Sequence, residues 1–466
     1  MYKVKIDNET YFAYDGQLLS DILIKNGLKV PHICGGRGAC KKCTVNVNGK
    51  DELSCKYEIK SDIEVLLPEN KEISSETGAA CSNALSENMC FALDIGTTTL
   101  ALALVSLDNG SIIKTITRTN PQIVFGADVI SRIDYCNKNG VEALKNALIN
   151  EVNSMTNELC ENTLPVMYAS GNTTMLHILL GENPSSMGVA PYTPVFTKCK
   201  TVNGENIGIK KVEKVISLDC ISAFVGADLV AGLNFVGIPE NGKYNLLVDL
   251  GTNAEILLFG KDKFLCTSAA AGPCFEGANI SCGMSATEGA VYEFSLDSTG
   301  EARFKTIGDA KPCGFCGTGL IDIISTLLKN GIIDETGYME SETYQITEDI
   351  YIYQNDIRQY QLAKSAVCSA IQTLIIVCGI DYGRIDKLYI SGGFSAKINV
   401  NNAVYTGLFP NELKNKAIPI NNSSLLGTVK FAVEGEELGN YIEKAEYVDL
   451  SLNADFNDLF IQNMEF

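Results

Sequence analysis

Residues 91–99 read Phe-Ala-Leu-Asp-Ile-Gly-Thr-Thr-Thr, and residues 246–255 read Leu-Leu-Val-Asp-Leu-Gly-Thr-Asn-Ala-Glu. Each stretch is an apolar run that ends in Asp, followed by a Gly-Thr turn and a second apolar run, which is typical of a buried hairpin. The two copies predict two related halves rather than a solenoid. A third glycine-rich turn, Ser391-Gly392-Gly393, follows a long helical pattern near residues 357–378.

Two Asp-x-Gly-Thr hairpins followed by a Gly-Gly turn predict a two-lobed actin-like ATPase of α/β fold. A lone hairpin of this kind would be a weak signal, because Asp-Gly turns close many hairpins. Such turns direct backbone amides and Thr hydroxyls at phosphate oxygens, and glycine allows the close approach. The expected nucleotide contacts are Gly96, Thr97, Thr98, Thr99, Gly251, Thr252, Asn253, Gly392 and Gly393.

Three carboxylates are the candidate catalytic residues. Asp94 and Asp249 end the first strand of each hairpin, where a carboxylate can hold Mg²⁺ through water, since Mg²⁺ retains part of its hydration shell. Asp228 lies in a small-residue helical pattern over 224–232, and we expect it to orient the attacking water or the metal. The alternative that Asp228 only caps or solvates this helix stays open, and Glu276 is a secondary candidate for the nucleotide site.

A second informative pattern is a set of cysteines near the N-terminus, spaced C-x5-C-x2-C-x11-C with glycines between the first two: Cys34, Cys40, Cys43 and Cys55. This spacing is typical of the thiolate ligands of a [2Fe–2S] cluster in ferredoxins. Zinc is the alternative, but zinc ligands usually come as two close pairs. A further C-x2-C at Cys313 and Cys316 is read as a structural turn, with extra cluster ligation as the alternative.

Each of the two histidines has a structural interpretation as well as a functional one. His32 borders the cysteine loop and could replace a ligand, although four cysteines already suffice. His177 follows Thr173 and Thr174 on a predicted helix, where a packed, hydrogen-bonded histidine is more common than a catalytic base.

Composition limits the function classes. The chain has 466 residues and a formal net charge of −19, which argues against nucleic acid or an anionic membrane as a partner. Seventeen cysteines without a secretory leader predict a reducing cytoplasm. No apolar run is expected to span a bilayer.

The order of the patterns predicts the domain organisation. Residues 1–68 are predicted to form a small α+β ferredoxin-type domain of β-grasp arrangement, with a hairpin over 4–6 and 10–13, a helix over 18–25, and strands over 44–47 and 63–67. Residues 69–89 are polar and are read as a tether. Residues 90–466 are assigned to the ATPase, with lobe I over about 90–240 and lobe II over about 241–466.

The combined motifs resemble the ATP-dependent reductive activators of corrinoid proteins, in which a ferredoxin precedes an actin-like (ASKHA, ribonuclease H-like) ATPase. Besides the cysteines and the hairpins, the resemblance rests on six further stretches. They are Asn120-Pro121-Gln122 with residues 125–132, the stretch 171–177, Ala190-Pro191-Tyr192-Thr193-Pro194, the stretch 272–278, the stretch 316–322, and Asp356-Ile357-Arg358 with residues 361–364.

The resemblance implies a [2Fe–2S] cluster, ATP and Mg²⁺ as cofactors, and a corrinoid protein as the partner whose Co(II) is returned to Co(I). It also implies that this partner docks on the ATPase domain over residues 90–466. It also implies an upstream low-potential reductant and a homodimer formed through the ATPase part. Plant-type two-iron clusters have potentials near −400 mV, and the Co(II)/Co(I) couple is typically harder to reduce. ATP would therefore have to bias the reaction.

Two other functions stay open on the sequence. One keeps both domains but changes the acceptor, so that the chain is an ATP-driven electron donor to a dehydratase or another low-potential enzyme. The other is a small-molecule kinase of actin-like fold with a redox regulatory domain. The family pattern also differs here, since many members carry an additional module or a C-terminal cluster domain, and Lys41 replaces the usual glycine after Cys40.

Overall fold

The computed structural model describes residues 1–6, 9–26, 28, 30, 43–67, 88–126, 128–393, 395–435 and 439–466. The chain divides into two compact units, of which the first comprises residues 1–169, 174–196 and 200–217. The second comprises residues 170–173, 197–199 and 218–466. The predicted features that lie outside the described residues are Cys34, Cys40, Lys41, His32 and nearly all of the 69–89 tether.

The N-terminal segment forms a five-stranded sheet covered by one helix. Its elements are β1 (Tyr2–Ile6), β2 (Glu9–Ala13), α1 (Leu19–Lys25), β3 (Thr44–Val47), β4 (Lys50–Leu53) and β5 (Ile63–Leu66). The strand order is β2-β1-β5-β3-β4, with β1 antiparallel to β2 and parallel to β5. The predicted hairpin, helix and two strands are confirmed, but β4 was missed. Its charged residues are tolerated because β4 is an edge strand.

The rest of the first unit is built on a six-stranded sheet. Its elements are β6 (Met89–Ile95), β7 (Thr99–Ser106), β8 (Ile112–Thr119), α2 (Val129–Asn139), α3 (Glu142–Leu159), β9 (Leu164–Gly171), α4 (Thr173–Leu180), β10 (Lys200–Asn203), α5 (Gly204–Ile207) and β11 (Val212–Ser217). The strand order is β10-β11-β9-β6-β7-β8. Every residue of β6 is buried, so the strand carries no alternation, and the hairpin β6–β7 is the one predicted from the first Asp-x-Gly-Thr motif.

The second unit is built on another six-stranded sheet. Its first elements are α6 (Ala227–Val236), β12 (Tyr244–Leu250), β13 (Ala254–Phe259), β14 (Phe264–Ala269), β15 (Ala290–Leu296), β16 (Ala302–Thr306), β17 (Gly314–Phe315), α7 (Gly317–Lys329), β18 (Thr343–Gln345) and β19 (Tyr351–Tyr353). The remaining elements are α8 (Gln354–Cys378), β20 (Ile385–Ser391), α9 (Val400–Tyr405), β21 (Ala417–Pro419), α10 (Ser423–Glu434), α11 (Gly439–Ile442), β22 (Ala445–Tyr447) and α12 (Ala454–Gln462). The main sheet has the order β21-β20-β12-β13-β14-β22.

The longest helix, α8, is a core helix of the second unit. Its most apolar window has a mean hydropathy of 1.5, so by length and composition alone the helix could cross a membrane. This differs from the expectation that no apolar run would span a bilayer. However, 72% of that window is buried inside the protein. A helix that is apolar on most sides is also what a protein core requires.

Helices α6 and α10 pack against each other through glycines, and α6 begins at Ala227, three residues later than the small-residue pattern predicted over 224–232. A Cβ atom on Gly427 would lie 1.7 Å from the carbonyl oxygen of Ala231, and one on Gly232 would lie 2.8 Å from Ser423 Oγ. The Asn234 side-chain amide also donates to the carbonyl oxygen of Gly427 at 3.2 Å. The close approach of the two helices therefore depends on glycine at both contact points.

We predict that Gly427→Ala lowers the melting temperature and the free energy of unfolding, the latter by about 2 kcal/mol, because the added methyl group overpacks the contact with α6. Alanine normally favours a helix over glycine by about 1 kcal/mol, so the sign of the effect is diagnostic. Thermal unfolding measures it. The matched control is Val433→Ala on the same helix, where the side chain is exposed. A Gly427→Ala protein that is more stable than the wild type would contradict the packing argument.

Candidate functional site

Two of the four predicted cluster ligands lie in the described residues, and they lie together. Cys43 immediately precedes β3 and Cys55 follows β4, so the β3–β4 hairpin brings them close, and the Ser54 amide donates to the Cys43 carbonyl at 3.0 Å. Both side chains are buried, and their Sγ atoms are 3.2 Å apart.

This separation fits two ligands of one metal ion better than a disulfide. A disulfide bond is about 2.05 Å long, whereas two sulfurs bound tetrahedrally to one metal at about 2.3 Å are about 3.8 Å apart. The residues present therefore fit a thiolate-bound cluster. Cys34 and Cys40 would complete the ligand set, and their assignment stays a prediction.

The first nucleotide turn connects β6 and β7 in the first unit. Asp94 is buried near the end of β6, while Gly96, Thr97 and Thr98 are half-buried and Thr99 is exposed. The Gly96 amide donates to the Thr99 carbonyl at 2.9 Å, which closes the turn. A Cβ atom at Gly96 would lie 2.7 Å from the same carbonyl oxygen, so this tight turn requires glycine.

The second nucleotide turn connects β12 and β13 in the second unit. The Gly251 amide donates to the Asn253 carbonyl at 3.0 Å. The Thr252 hydroxyl donates to a carboxylate oxygen of Glu276, which follows the turn by 24 residues. The secondary candidate Glu276 is therefore placed directly beside the second turn.

The third turn lies against the second because β20 pairs in parallel with β12. Asp249 and Ser391 are partners in this register. Gly392 has a φ of 118°, and its Cβ position would be 2.2 Å from the Leu250 carbonyl oxygen, so no other residue fits there. A Cβ at Gly393 would have no heavy atom within 4 Å. The predicted nucleotide contact of Gly393 stays a prediction.

A group of carboxylates surrounds the second turn. Glu255, the last residue of the Asp-x-Gly-Thr-Asn-Ala-Glu motif, lies directly opposite Asp249 across the β12–β13 ladder and is buried. Burial is the main cause that raises the pKa of the Glu255 carboxyl well above its ordinary value. Three neighbouring carboxylates contribute further to this rise: Asp228, Asp249 and Glu276. Glu255 belongs to the second hairpin motif, but the sequence pattern predicted no role for it.

Asp228 lies in the first turn of α6 within this carboxylate group. Its Oδ1 accepts a hydrogen bond from the Leu229 amide at 2.8 Å, but the N-cap of the helix is Gly226. A carboxylate in the first turn is favoured by the helix dipole, so the capping alternative retains a physical basis. In the ranges that the structure covers, no three metal-ligating side chains form a closed site, and the Mg²⁺ roles of Asp94, Asp228 and Asp249 stay predictions.

The remaining singled-out residues have structural surroundings. His177 is fully buried, its Nε2 accepts from the Val195 and Phe196 amides at 3.0 and 3.4 Å, and its ring stacks on Phe196 at 4.1 Å. Cys316 is buried at the start of α7, whereas Cys313 is exposed with Sγ 3.8 Å from the Met284 sulfur. This agrees with the reading of His177 as a packed residue.

Three family models match successive parts of the chain. Residues 1–67 match a 2Fe-2S iron–sulfur cluster binding domain, and residues 89–241 match the RACo middle region. Residues 243–466 match the C-terminal domain of RACo, described as the ASKHA domain. Together they cover almost the whole chain in the order expected from the motifs.

The chain is also similar over most of its length to individual proteins. The corrinoid activation enzyme RamQ of Eubacterium limosum is 27% identical over 96% of both chains. The [Co(II) methylated amine-specific corrinoid protein] reductase of Methanosarcina barkeri is 25% identical over 80% of this chain and 76% of the relative. A solved structure, the reductive activator for corrinoid, iron–sulfur protein, has a TM-score of 0.75 and 24% identity and covers 100% of this chain and 98% of its own, which shows a shared fold.

We predict that Cys43→Ser and Cys55→Ser each abolish the visible absorption and the bound iron of the purified protein, because each removes a thiolate at the buried pair. The wild type should contain about two iron atoms per chain. Cys313→Ser is the matched control, and it should leave iron content and spectrum unchanged. Loss of iron in the Cys313→Ser protein would instead assign that cysteine to a cluster.

We also predict that Glu255→Gln stabilises the protein increasingly as the pH rises above the ordinary Glu pKa of 4.5. Above that pH the unfolded carboxyl loses its proton while the folded one keeps it, so the wild type loses stability with rising pH until the raised folded pKa is passed. Glutamine removes this loss. Melting temperatures between pH 5 and 8 measure it, with the exposed Glu340→Gln as control. Parallel pH curves for wild type and Glu255→Gln would contradict the raised pKa.

Proposed function

Because this chain belongs to the RACo family, we propose that it is an ATP-dependent reductive activator that returns a corrinoid protein from Co(II) to Co(I). The observation that carries the proposal is the succession of a cluster-binding domain, a RACo middle region and an ASKHA domain in one chain. Two relatives are named as a corrinoid activation enzyme and a Co(II) corrinoid protein reductase, which supports the same activity.

The N-terminal domain is proposed to deliver the electron. When bound, the [2Fe–2S] cluster supplies one electron at low potential. The chain's own contribution is the β3–β4 hairpin, which fixes Cys43 and Cys55 as a buried pair, with Cys34 and Cys40 as the other proposed ligands. A rigid, buried ligand pair limits the rearrangement on electron transfer and keeps water from the sulfurs.

The two Asp-x-Gly-Thr turns and the Gly392-Gly393 turn are proposed to bind Mg-ATP. Thr97, Thr98 and Thr99 of the first turn are proposed to contact phosphates, as are Gly251, Thr252 and Asn253 of the second turn. The carboxylates Asp94, Asp228 and Asp249 would hold Mg²⁺ and the attacking water. The clustering of Asp228 and Asp249 around the second turn supports this assignment, because a divalent cation would relieve their mutual repulsion.

We further infer a corrinoid protein as the docking partner, an upstream low-potential reductant and a homodimer. The ranges of about 90–240 and 241–466 stay the proposed lobes I and II of the ATPase. A reducing, cytoplasmic location is proposed from the seventeen cysteines of the sequence.

The central experiment mixes the purified protein with a Co(II)-corrinoid protein, a low-potential reductant and Mg-ATP, and follows the Co(I) absorbance. We expect Co(I) to form only with ATP present. Asp228→Asn should bind ATP but neither hydrolyse it nor support Co(I) formation, because its neutral side chain can no longer orient water or metal. The Gln variant of exposed Glu340 is the activity control.

Each alternative outcome has a separate meaning. Full ATP turnover by Asp228→Asn would remove its catalytic assignment while leaving the activity. Absence of an ATP-dependent Co(I) signal with cognate partners would contradict the proposed function. Phosphorylation of a small molecule would favour the kinase, and ATP-dependent reduction of a dehydratase would favour the other electron acceptor.

A further inference from the structure

The backbone of the first nucleotide turn is held from one side by two buried side chains. The Asn120 side-chain amide donates to the Gly96 carbonyl at 2.8 Å, and the Arg132 guanidinium donates to the Thr97 carbonyl at 2.6 Å. The Asn120 backbone amide donates to the next carbonyl, that of Thr98, at 2.8 Å. Each of these three successive carbonyl groups therefore points at a donor of the protein.

Both side chains are fixed independently of the turn. Asn120 Oδ1 accepts from the Gln122 amide at 3.0 Å, so its nitrogen must face Gly96. The Arg132 Nε donates to the Gly126 carbonyl at 2.9 Å, and its Nη1 donates to Gln122 Oε1 at 3.2 Å. Both residues have 0% exposure. They are thus held rigidly in place before any ligand arrives.

The position of Arg132 is unfavourable for the stability of the fold. Asp128 and Ser131 form a capping box at the start of α2, which sets Arg132 in the first helical turn. A cation there opposes the helix dipole, and burial of a guanidinium is costly unless hydrogen bonds compensate it. A purely structural contact would be served at lower cost by a neutral side chain, so the guanidinium is expected to have a role at the turn.

We propose that Asn120 and Arg132 are positioning residues that set the anion-binding face of the first nucleotide turn. In a trans peptide the carbonyl and the N–H point in opposite directions. Fixing the carbonyls of Gly96, Thr97 and Thr98 on the buried side therefore turns the amides of Thr97, Thr98 and Thr99 the other way, toward the exposed side where a phosphate can bind. The buried positive charge of Arg132 behind the turn adds to its attraction for an anion.

This inference rests on the proposed function for the identity of the anion, a nucleotide phosphate. Arginine rather than lysine is required by the geometry. The planar guanidinium donates to the Thr97 carbonyl, the Gly126 carbonyl and the Gln122 side chain at once. The compact ammonium of lysine carries all its donors on one nitrogen and cannot reproduce this arrangement. Positioning and charge can therefore be separated by substitution.

The test uses the full-length protein loaded with its cluster and compares variants with the wild type. ATP affinity is measured by fluorescence or calorimetric titration, and the order of the turn is measured by amide hydrogen exchange across residues 94–104. We expect Arg132→Met to weaken ATP binding about 10- to 100-fold, as for the loss of a charge-assisted hydrogen bond, and to speed exchange in the turn. Arg132→Lys should bind ATP at least about tenfold more weakly than the wild type, although lysine retains the positive charge. Asn120→Asp, which sets an oxygen against the Gly96 carbonyl, should weaken binding similarly and serves if Arg132→Met does not fold.

The matched control is Arg118→Met. Arg118 is likewise a largely buried arginine of the first unit, but its guanidinium binds Glu151 and Glu158 on α3. The control should lower the melting temperature and leave ATP affinity within about twofold of the wild type. An equal loss of affinity in Arg132→Met and Arg118→Met at equal stability loss would overturn the positioning role, as would recovery in Arg132→Lys.

The wild type separates the two levels of the proposal. If the wild type binds ATP and the Arg132 and Asn120 variants bind it equally well, the positioning role is wrong and the proposed function stands. If the wild type binds no ATP, the proposed function fails, and the assignment of this turn to nucleotide phosphate fails with it.

Discussion

The hydrogen-bond ladders on both sides of β12 are the constraint on which the nucleotide half of the second unit depends. On one side the antiparallel partner β13 sets Glu255 opposite Asp249, and on the other the parallel partner β20 sets Ser391 beside the same Asp249. One strand end therefore brings two glycine turns and the carboxylates to the same edge of the sheet. Because side chains alternate with a period of two, a slip of one residue in either ladder would turn Asp249 to the opposite face.

That arrangement places several carboxyl groups close together, which does not stabilise the protein when no cation is bound. A charged Glu255 directly opposite Asp249 would be destabilising, and burial disfavours its charged form, so the pKa of the Glu255 carboxyl is raised. A cation bound at this edge would offset the repulsion among the neighbouring carboxylates. The site is therefore built at a cost to the empty fold, and binding of Mg-ATP is expected to return part of that cost as stability.

Much of this architecture could be predicted from the sequence because its signals are local. The two Asp-x-Gly-Thr hairpins, helix α8 and the small-residue helix α6 each leave a periodic or glycine pattern within one segment. Strand β4 was missed because its edge position allows charged residues, so it lacks the apolar alternation of a buried strand.

The parts of the site that the sequence did not reveal depend on distant contacts. The roles of Arg132 and Asn120 could not be predicted, although both residues lie in a stretch that resembles the family. Nothing in the local sequence indicates that their side chains reach the carbonyls of residues 97 and 96. Glu276 was a secondary candidate until its contact with the Thr252 hydroxyl placed it at the second turn. Such contacts join residues 24 to 35 positions apart, and motif spacing carries no information about them.

The coupling of ATP to reduction has a thermodynamic condition that any mechanism for this chain must meet. A ligand that binds two states equally tightly shifts nothing between them. ATP can therefore favour Co(I) only if the nucleotide-bound protein distinguishes the two cobalt states of its partner, and each tenfold preference corresponds to about 59 mV in a one-electron step. Nucleotide binding must accordingly change the surface or the motion that the partner meets. Turns whose amides are already fixed suit that task, because phosphate binding energy is then not consumed in ordering the turns themselves.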